Sequence, residues 1–149
     1  MQLAAKIAAC SAVLLAVVLA DAGVSTAQPM PKPVLVFLAQ EYYETSGKQW
    51  TRYRYEVANA SEYPKELFAA APGLPPCGTN TNASRTWVDI YDKNGKRLYG
   101  FCALGSPNDL GKIWFALERD VIPPSWVYIE LNDRQVGKKY KSNEAETTM

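Results

Sequence analysis

The sequence predicts an all-β protein: an antiparallel β-sandwich of about seven strands with one disulfide and a long irregular loop. Apolar and polar residues alternate along much of the chain, as they do in strands with one buried and one solvated face. Turn-forming residues interrupt these runs roughly every 8 to 12 positions, and no run has the 3.6-residue period of a long helix. Short antiparallel strands joined by tight turns are therefore expected.

The first 27 residues have the pattern of a secretory signal peptide. Lys6 supplies the positive charge, and the apolar run from Ile7 to Ala20 is shorter than the ~20 residues of a membrane-spanning helix. Cleavage is expected after Ala27, with a cut after Ala22 or a retained membrane anchor as the alternatives. A lipoprotein site at Cys10 is disfavoured because the apolar run follows this cysteine. The protein is thus expected to be periplasmic or secreted.

The remaining chain has the size of one domain. Residues 28–33 are rich in proline and predict an extended N-terminus, 34–142 predict the sandwich, and the polar residues 143–149 predict a disordered tail. Loss of Lys6 and Asp21 leaves the net charge at +1, so no nucleic acid or anionic membrane partner is indicated. We expect a monomer with no membrane span after signal cleavage.

Two strands are expected in the first part of the domain. Residues 34–43 form a compact apolar run after Pro33, which is typical of a buried strand. Residues 49–58 alternate, with the inward face formed by Tyr53, Tyr55 and Val57 and the outward face by Arg52, Arg54 and Glu56. Residues 59–84 are irregular and rich in proline and glycine, and 65–70 within them predict one turn of helix or a short edge strand.

A hairpin is predicted from 85–91 and 96–103, because Asn94-Gly95 favours a type I′ turn between strands. Its acidic turn resembles a calcium loop only superficially, since Ile90 and Phe101 would occupy ligand positions. Three further strands follow at 112–118, 126–132 and 138–141. The lysines of the last strand suit a sheet edge, where charge discourages pairing with other molecules.

Cys77 and Cys102 predict a disulfide, because an exported chain with two remaining cysteines most simply joins them. The closed loop predicts a stabilisation of about 3–4 kcal/mol in the chain-entropy account. Two free thiols in a reducing compartment would be the alternative. The chain contains no histidine, and two cysteines with scattered carboxylates match no zinc spacing, so no metal site is expected.

The strand count, the alternation, the Trp87 strand and the segment 52–59 resemble immunoglobulin-like or fibronectin-III-like sandwiches over residues 34–142. The resemblance implies a fold and no activity. It departs from the immunoglobulin pattern in the short span between the cysteines, and in Gly100, which stands where that family has a tyrosine. The chain also resembles small exported bacterial proteins of unknown function.

A candidate binding face follows from the alternation in two strands. If Val88 and Val127 point inward, the aromatic side chains that point outward are Trp87, Tyr91, Trp126 and Tyr128. Exposed aromatic patches commonly mark binding sites. The alternative is that the rings are shielded, with Arg52 and Arg54 covering them or with Trp126 closing one end of the sandwich.

Little in the sequence indicates catalysis. The usual base near neutral pH is absent without histidine, paired cysteines offer no thiolate, and no phosphate-binding or dinucleotide-binding loop is found. No catalytic residue and no cofactor are therefore expected. Asp89 and Glu130 could cooperate as in glycosidases if their strands adjoin, which is the least favoured hypothesis.

The favoured function is a non-catalytic binding or accessory module that recognises a protein or glycan partner outside the cytoplasm. Its contact surface would be the aromatic face or the 59–84 loop. The alternative is an inhibitor of a secreted hydrolase that presents the rigid loop from Pro72 to Cys77.

Overall fold

The computed structural model describes residues 30–148, which form eight β-strands in two antiparallel sheets. The predicted signal peptide lies outside the described residues. Within 30–148 there is no α-helix, and no helix is long and apolar enough to cross a membrane. The strands are β1 (Leu35–Thr45), β2 (Lys48–Val57), β3 (Thr86–Asp92), β4 (Arg97–Phe101), β5 (Ile113–Glu118), β6 (Trp126–Asp133), β7 (Lys138–Lys141) and β8 (Ala145–Glu146).

Seven of these strands lie where the alternation predicts them, and the all-β sandwich is confirmed. The first sheet has the order β1-β2-β5, and the second has the order β4-β3-β6-β7, with β8 also pairing with β6. The β3–β4 hairpin turns at Asn94-Gly95, where Gly95 has a φ of 83°. This positive φ is the reason that glycine suits the position.

The core lies between the two sheets and is built from the inward faces that the alternation predicts. Tyr55 and Phe115 come from the first sheet and Ile90 and Ile129 from the second, and each is at most 1% exposed. The rings of Tyr55 and Phe115 stack with centroids 6.0 Å apart. The period-two pattern therefore decides which face of each strand is buried.

Aromatic packing and a polar clasp join the two sheets at their edges. At one edge, Tyr99 of β4 stacks on Trp114 of β5 with ring centroids 4.8 Å apart. At the other, Asn143 pairs with the main chain of β1: its Oδ1 accepts the Leu35 N–H at 2.8 Å, and its Nδ2 donates to the Leu35 carbonyl at 3.0 Å. Trp114 alternates with the buried Ile113 and Phe115, and its ring packs against Tyr99 and Phe101 of β4.

The predicted disordered tail is wrong for the described residues 143–148. Residues 145–146 form β8 against the beginning of β6, and Ala145 and Thr147 are buried. The Thr147 N–H donates to the Ser125 carbonyl at 3.1 Å. Polar composition suggested a solvated tail, but the beginning of β6 has free main-chain groups, and pairing with them satisfies both segments.

Of the three short 3₁₀ turns in residues 30–148, the first is Ala60–Glu62, and the other two bury apolar side chains. Lys65–Phe68 forms one of them, at the place where one helical turn or an edge strand was expected, and it buries Leu67 and Phe68. Pro107–Gly111 forms the other and was not predicted, although Ser106 and Asp109 make the reciprocal hydrogen bonds of a capping box. The spacing of these two residues was a readable signal in the sequence.

The disulfide between Cys77 and Cys102 is present and spans 25 positions of the chain. It ties the irregular loop to the residue that follows β4, as the sequence predicts. A disulfide of this kind persists in oxidising compartments and indicates a non-cytoplasmic environment.

Candidate binding site

The most distinctive surface of the domain is the loop of residues 69–77, here called the 69–77 loop, which is held at both ends. At its beginning, the Arg85 N–H donates to the Ala69 carbonyl at 2.9 Å, and the Ala71 N–H donates to the Ala83 carbonyl at 3.0 Å. At its end, Cys77 is bonded to Cys102. A loop fixed in this way loses less conformational entropy when it binds a partner.

Arg134, from the β6–β7 turn, braces this loop against the second sheet. Its Nη1 donates to the Ser84 carbonyl at 3.2 Å, and its Nη2 donates to the carbonyl of Pro75. The guanidinium carbon lies 4.0 Å from the centroid of the Trp87 ring, in cation–π contact. The 69–77 loop and the Trp87 end of the predicted aromatic face are therefore one continuous surface.

A cleft of about 390 Å³ opens between the first half of this loop and the end of the second sheet. Its walls are mostly small and apolar, with three polar side chains at intervals. The lining residues are Glu66, Ala69, Ala70, Ala71, Gly73, Leu74, Arg85 and Gln135. The lining contains no aromatic residue, so a ligand in this cleft has no aromatic ring to stack on.

Arg85 is oriented in the cleft by a two-pronged ion pair with the buried Asp133. Nε lies 2.9 Å from Oδ1 and Nη2 lies 2.7 Å from Oδ2. Burial is the largest influence and raises the pKa of Asp133, but the hydrogen bonds and charge of Arg85, together with main-chain N–H bonds from Gln135 and Val136, outweigh it and lower that pKa. The hydrogen bonds between Arg85 and Asp133 raise the pKa of Arg85. The pair is therefore charged and internally neutralised.

The four residues of the predicted aromatic face all lie on the outer face of the β3–β6 pair. Tyr91 stacks on Tyr128 with centroids 5.4 Å apart, and the Lys141 ammonium lies 3.7 Å from the Tyr128 ring centroid. Trp87 is covered by Arg134, and Trp126 is 37% exposed at the opposite end of β6. The structure thus brings the two tyrosines together and leaves the tryptophans apart.

The shielding cations differ from those considered in the sequence analysis. Arg134 and Lys141 cover the aromatic face, whereas Arg52 lies on the other sheet. There its guanidinium carbon is 4.8 Å from the ring centroids of both Tyr43 and Trp114. Sequence alternation gives the face of a residue within its strand, but it does not say which sheet the strand joins.

The two candidate carboxylates, Asp89 and Glu130, lie directly opposite each other on neighbouring strands. Each is paired with its own cation: Arg97 Nε lies 2.6 Å from Asp89, and Lys139 Nζ lies 3.2 Å from Glu130. The absence of a side chain at Gly100 lets the Arg97 guanidinium lie across this position. Neither carboxylate lines the cleft beside the 69–77 loop.

The second cleft, of about 370 Å³, lies at the opposite end of the sandwich between the β3–β4 turn and the β5–β6 loop. Ile122, at the tip of that loop, is 90% exposed. Among residues 30–148, no group of three or more histidine, cysteine, aspartate or glutamate side chains is placed to hold a metal ion.

Sequence reasoning missed the residues that make the first cleft polar. Arg85 lies at the beginning of the predicted strand 85–91, and Gln135 lies between the predicted strands 126–132 and 138–141. Neither position indicates which residues lie across from it. The sequence carries no local signal for this cleft, since Asp133 follows the predicted strand 126–132 and its burial, which requires a basic partner, is a property of the fold. The partner could be identified only from the fold.

Comparison with known proteins identifies no relative: no protein-family model, no curated protein sequence and no solved structure matches this chain.

Proposed function

We propose that this protein is an exported, non-catalytic module that binds a protein or glycan partner through the 69–77 loop and the cleft behind it. The observation that carries the proposal is the cleft itself, of about 390 Å³, formed by a loop that is anchored at both ends. A concave, largely pre-formed surface with a few fixed polar groups is the usual form of a binding site. The expected periplasmic or secreted location is supported by the disulfide.

The strand order supports an immunoglobulin-like arrangement for this module. In that fold the first, second and fifth strands share one sheet, while the third, sixth and seventh share the other. The same division is found here, with β4 placed beside β3. Domains of this architecture commonly serve as binding scaffolds, and they present loops at the two ends of the sandwich.

The charge arrangement supports binding over catalysis. The cleft contains one carboxylate, Glu66, and its arginine is already committed to Asp133. Asp89 and Glu130 lie on a sheet face outside the cleft, and each is paired with a cation. General acid–base catalysis requires groups that can exchange protons with a bound substrate, and this arrangement offers few.

The inhibitor alternative draws less support from the loop contacts. A hydrolase that binds an inhibitor loop as an added β-strand forms hydrogen bonds to the main chain of that loop, so those main-chain groups must be free. Here the Pro75 carbonyl accepts from Arg134, and the Cys77 N–H donates to the Asn80 carbonyl at 3.1 Å. Pro72 and Gly73 remain exposed, so the first half of the 69–77 loop is the part available to a partner.

The proposal is tested by crosslinking and capture from the producing organism's own envelope and culture medium. Ala70→Trp places a large ring on the wall of the cleft and is expected to reduce the captured amount of a specific component at least tenfold. Ala58→Trp is the matched control, because Ala58 is also exposed and lies outside the cleft lining. Equal capture by the two variants would contradict the assignment of the contact surface.

The same experiment separates the two hypotheses. If the captured component is a hydrolase that loses turnover on binding, inhibition is supported. Binding without any loss of activity supports an accessory role. Thermal denaturation of both variants checks that the fold is retained.

A further inference from the structure

We propose that the cleft seats an extended peptide segment with small, uncharged side chains, which pairs with the main chain at Ala70. The inference rests on the proposed function and narrows its partner from protein or glycan to a peptide of stated chemistry. Three features support it: the walls of the cleft, the unpaired main-chain groups of Ala70, and the polar side chains of the cleft, which can hydrogen-bond to a peptide group of the ligand.

The walls restrict the size of what can enter. They include three consecutive alanines, Ala69 to Ala71, with Gly73 and Leu74 beside them. The volume of about 390 Å³ is at the lower end of the range for ligand sites, roughly 300–1,000 Å³. Several residues of an extended peptide would share this volume, which leaves room for methyl-sized side chains, and larger ones would have to remain in solvent.

Ala70 offers main-chain groups that the fold leaves free. It forms an antiparallel bridge with Ser84, and the flanking hydrogen bonds belong to its neighbours Ala69 and Ala71. In such a pair the N–H and C=O of the middle residue point away from the partner strand. Within residues 30–148 neither group of Ala70 makes a hydrogen bond, so both can bond to an added peptide strand.

The polar side chains of the cleft complement a neutral amide. Arg85 uses Nε and Nη2 for Asp133, and among the described residues its Nη1 has no acceptor. Because Asp133 already neutralises the guanidinium, Nη1 suits a carbonyl oxygen better than a second carboxylate. Gln135 can donate and accept, and Glu66 accepts, which matches the N–H and C=O of a peptide group.

The absence of an aromatic platform argues for a peptide over a glycan. The residues that line the cleft include no tryptophan, tyrosine or phenylalanine. The nearest aromatic residue of the predicted face, Trp87, carries Arg134 on its ring at 4.0 Å and cannot stack on a sugar without displacing it. The occupant is therefore an uncharged, extended peptide.

The test uses two-dimensional amide NMR of the exported protein, titrated with acetyl-Ala-Ala-Ala-Ala-amide. Saturable shifts of the Ala70, Arg85 and Gln135 amides are expected, with a Kd of about 1 mM or tighter, as for a short peptide. The bulky peptide acetyl-Phe-Phe-Ala-Phe-amide and the sugar chitotriose are the comparison ligands. Both are expected to bind at least tenfold more weakly.

Variants locate the binding and guard against unfolding. Ala70→Trp is expected to abolish the shifts, and Gln135→Ala to weaken binding severalfold, because the exposed Gln135 side chain is not needed for the fold. Ala58→Trp is expected to bind as the wild type does. Shifts that are absent, that occur elsewhere, that persist in Ala70→Trp, or that chitotriose reproduces equally would overturn the proposal.

Failure of this inference is distinguishable from failure of the proposed function. If the alanine peptide does not bind while Ala70→Trp still abolishes capture of the natural partner, the cleft is a binding site for another ligand class. If Ala70→Trp leaves capture unchanged, the contact surface itself has been misplaced.

Discussion

Removal of the disulfide tests how the 69–77 loop is held. The double substitution Cys77→Ala with Cys102→Ala opens a loop whose ends are 25 positions apart. In the chain-entropy account a loop of this length is worth about 3.5 kcal/mol of unfolding free energy. For a domain of this size, 1 kcal/mol shifts Tm by roughly 4 °C, so a decrease of about 14 °C is expected.

The variant should still fold, because the other end of the loop does not depend on the disulfide. At that end the Arg85 N–H donates to the Ala69 carbonyl at 2.9 Å, and the Ala71 N–H donates to the Ala83 carbonyl at 3.0 Å. Far-ultraviolet circular dichroism should therefore show an unchanged spectrum at 20 °C and an earlier thermal transition. Peptide binding at the cleft should weaken as the end of the loop near Cys77 gains freedom.

The control is the wild-type protein unfolded under reducing conditions, which should show the same decrease. A decrease of less than about 4 °C, corresponding to about 1 kcal/mol, would refute the reasoning. It would mean that the hydrogen bonds alone hold the loop, or that the unfolded chain is already compact around this segment.

Three further predictions follow from the burial of particular groups. Asp133 has a lowered pKa in the folded state, so its pair with Arg85 stabilises the protein above pH ~4, and this contribution is lost as pH falls through the folded pKa. The urea concentration at the midpoint of unfolding should therefore decrease between pH 7 and pH 3. The decrease should be smaller in Asp133→Asn. The Tyr55 hydroxyl is buried beside the Thr147 hydroxyl and makes no well-formed hydrogen bond within residues 30–148, so Tyr55→Phe should leave Tm unchanged or raise it. A decrease of several degrees would show that a Tyr55–Thr147 hydrogen bond stabilises the fold. Truncation after Ser142 removes the buried residues Ala145 and Thr147 and exposes the core surface that they cover. It should lower the free energy of unfolding, measured by chemical denaturation, by about 2 kcal/mol or more. An unchanged denaturation midpoint would mean that the segment is not part of the fold.

Much of the sandwich could be predicted because strand alternation is local information. In β2, Tyr53 and Tyr55 are buried and Arg52 and Arg54 point outward, as their positions two residues apart require. The Asn94-Gly95 turn was readable for the same reason, since the conformational freedom of these residues is intrinsic. The disulfide followed from counting cysteines in a chain with an export signal.

The C-terminal segment shows where composition misleads. Residues 143–148 are mostly polar, yet Asn143 clasps the main chain of Leu35, which is 108 positions earlier in the chain. A hydrogen bond to a distant main-chain group leaves no local periodicity. The same is true of Arg134, which contacts Pro75 in the loop, Ser84, and Trp87 on β3.

The sequence by itself determined the fold class, the inward faces of the strands, and the residues joined by the disulfide, because each depends on spacing along the chain. The tertiary structure alone decided that Arg52 and Trp87 belong to different sheets, that Arg134 covers Trp87, and that three alanines and Arg85 line one cleft. These facts depend on which strands become neighbours. Which strands become neighbours depends on the apolar surface that the whole domain buries, and not on any single segment. A binding surface assembled from several elements therefore becomes visible only when the elements are packed together.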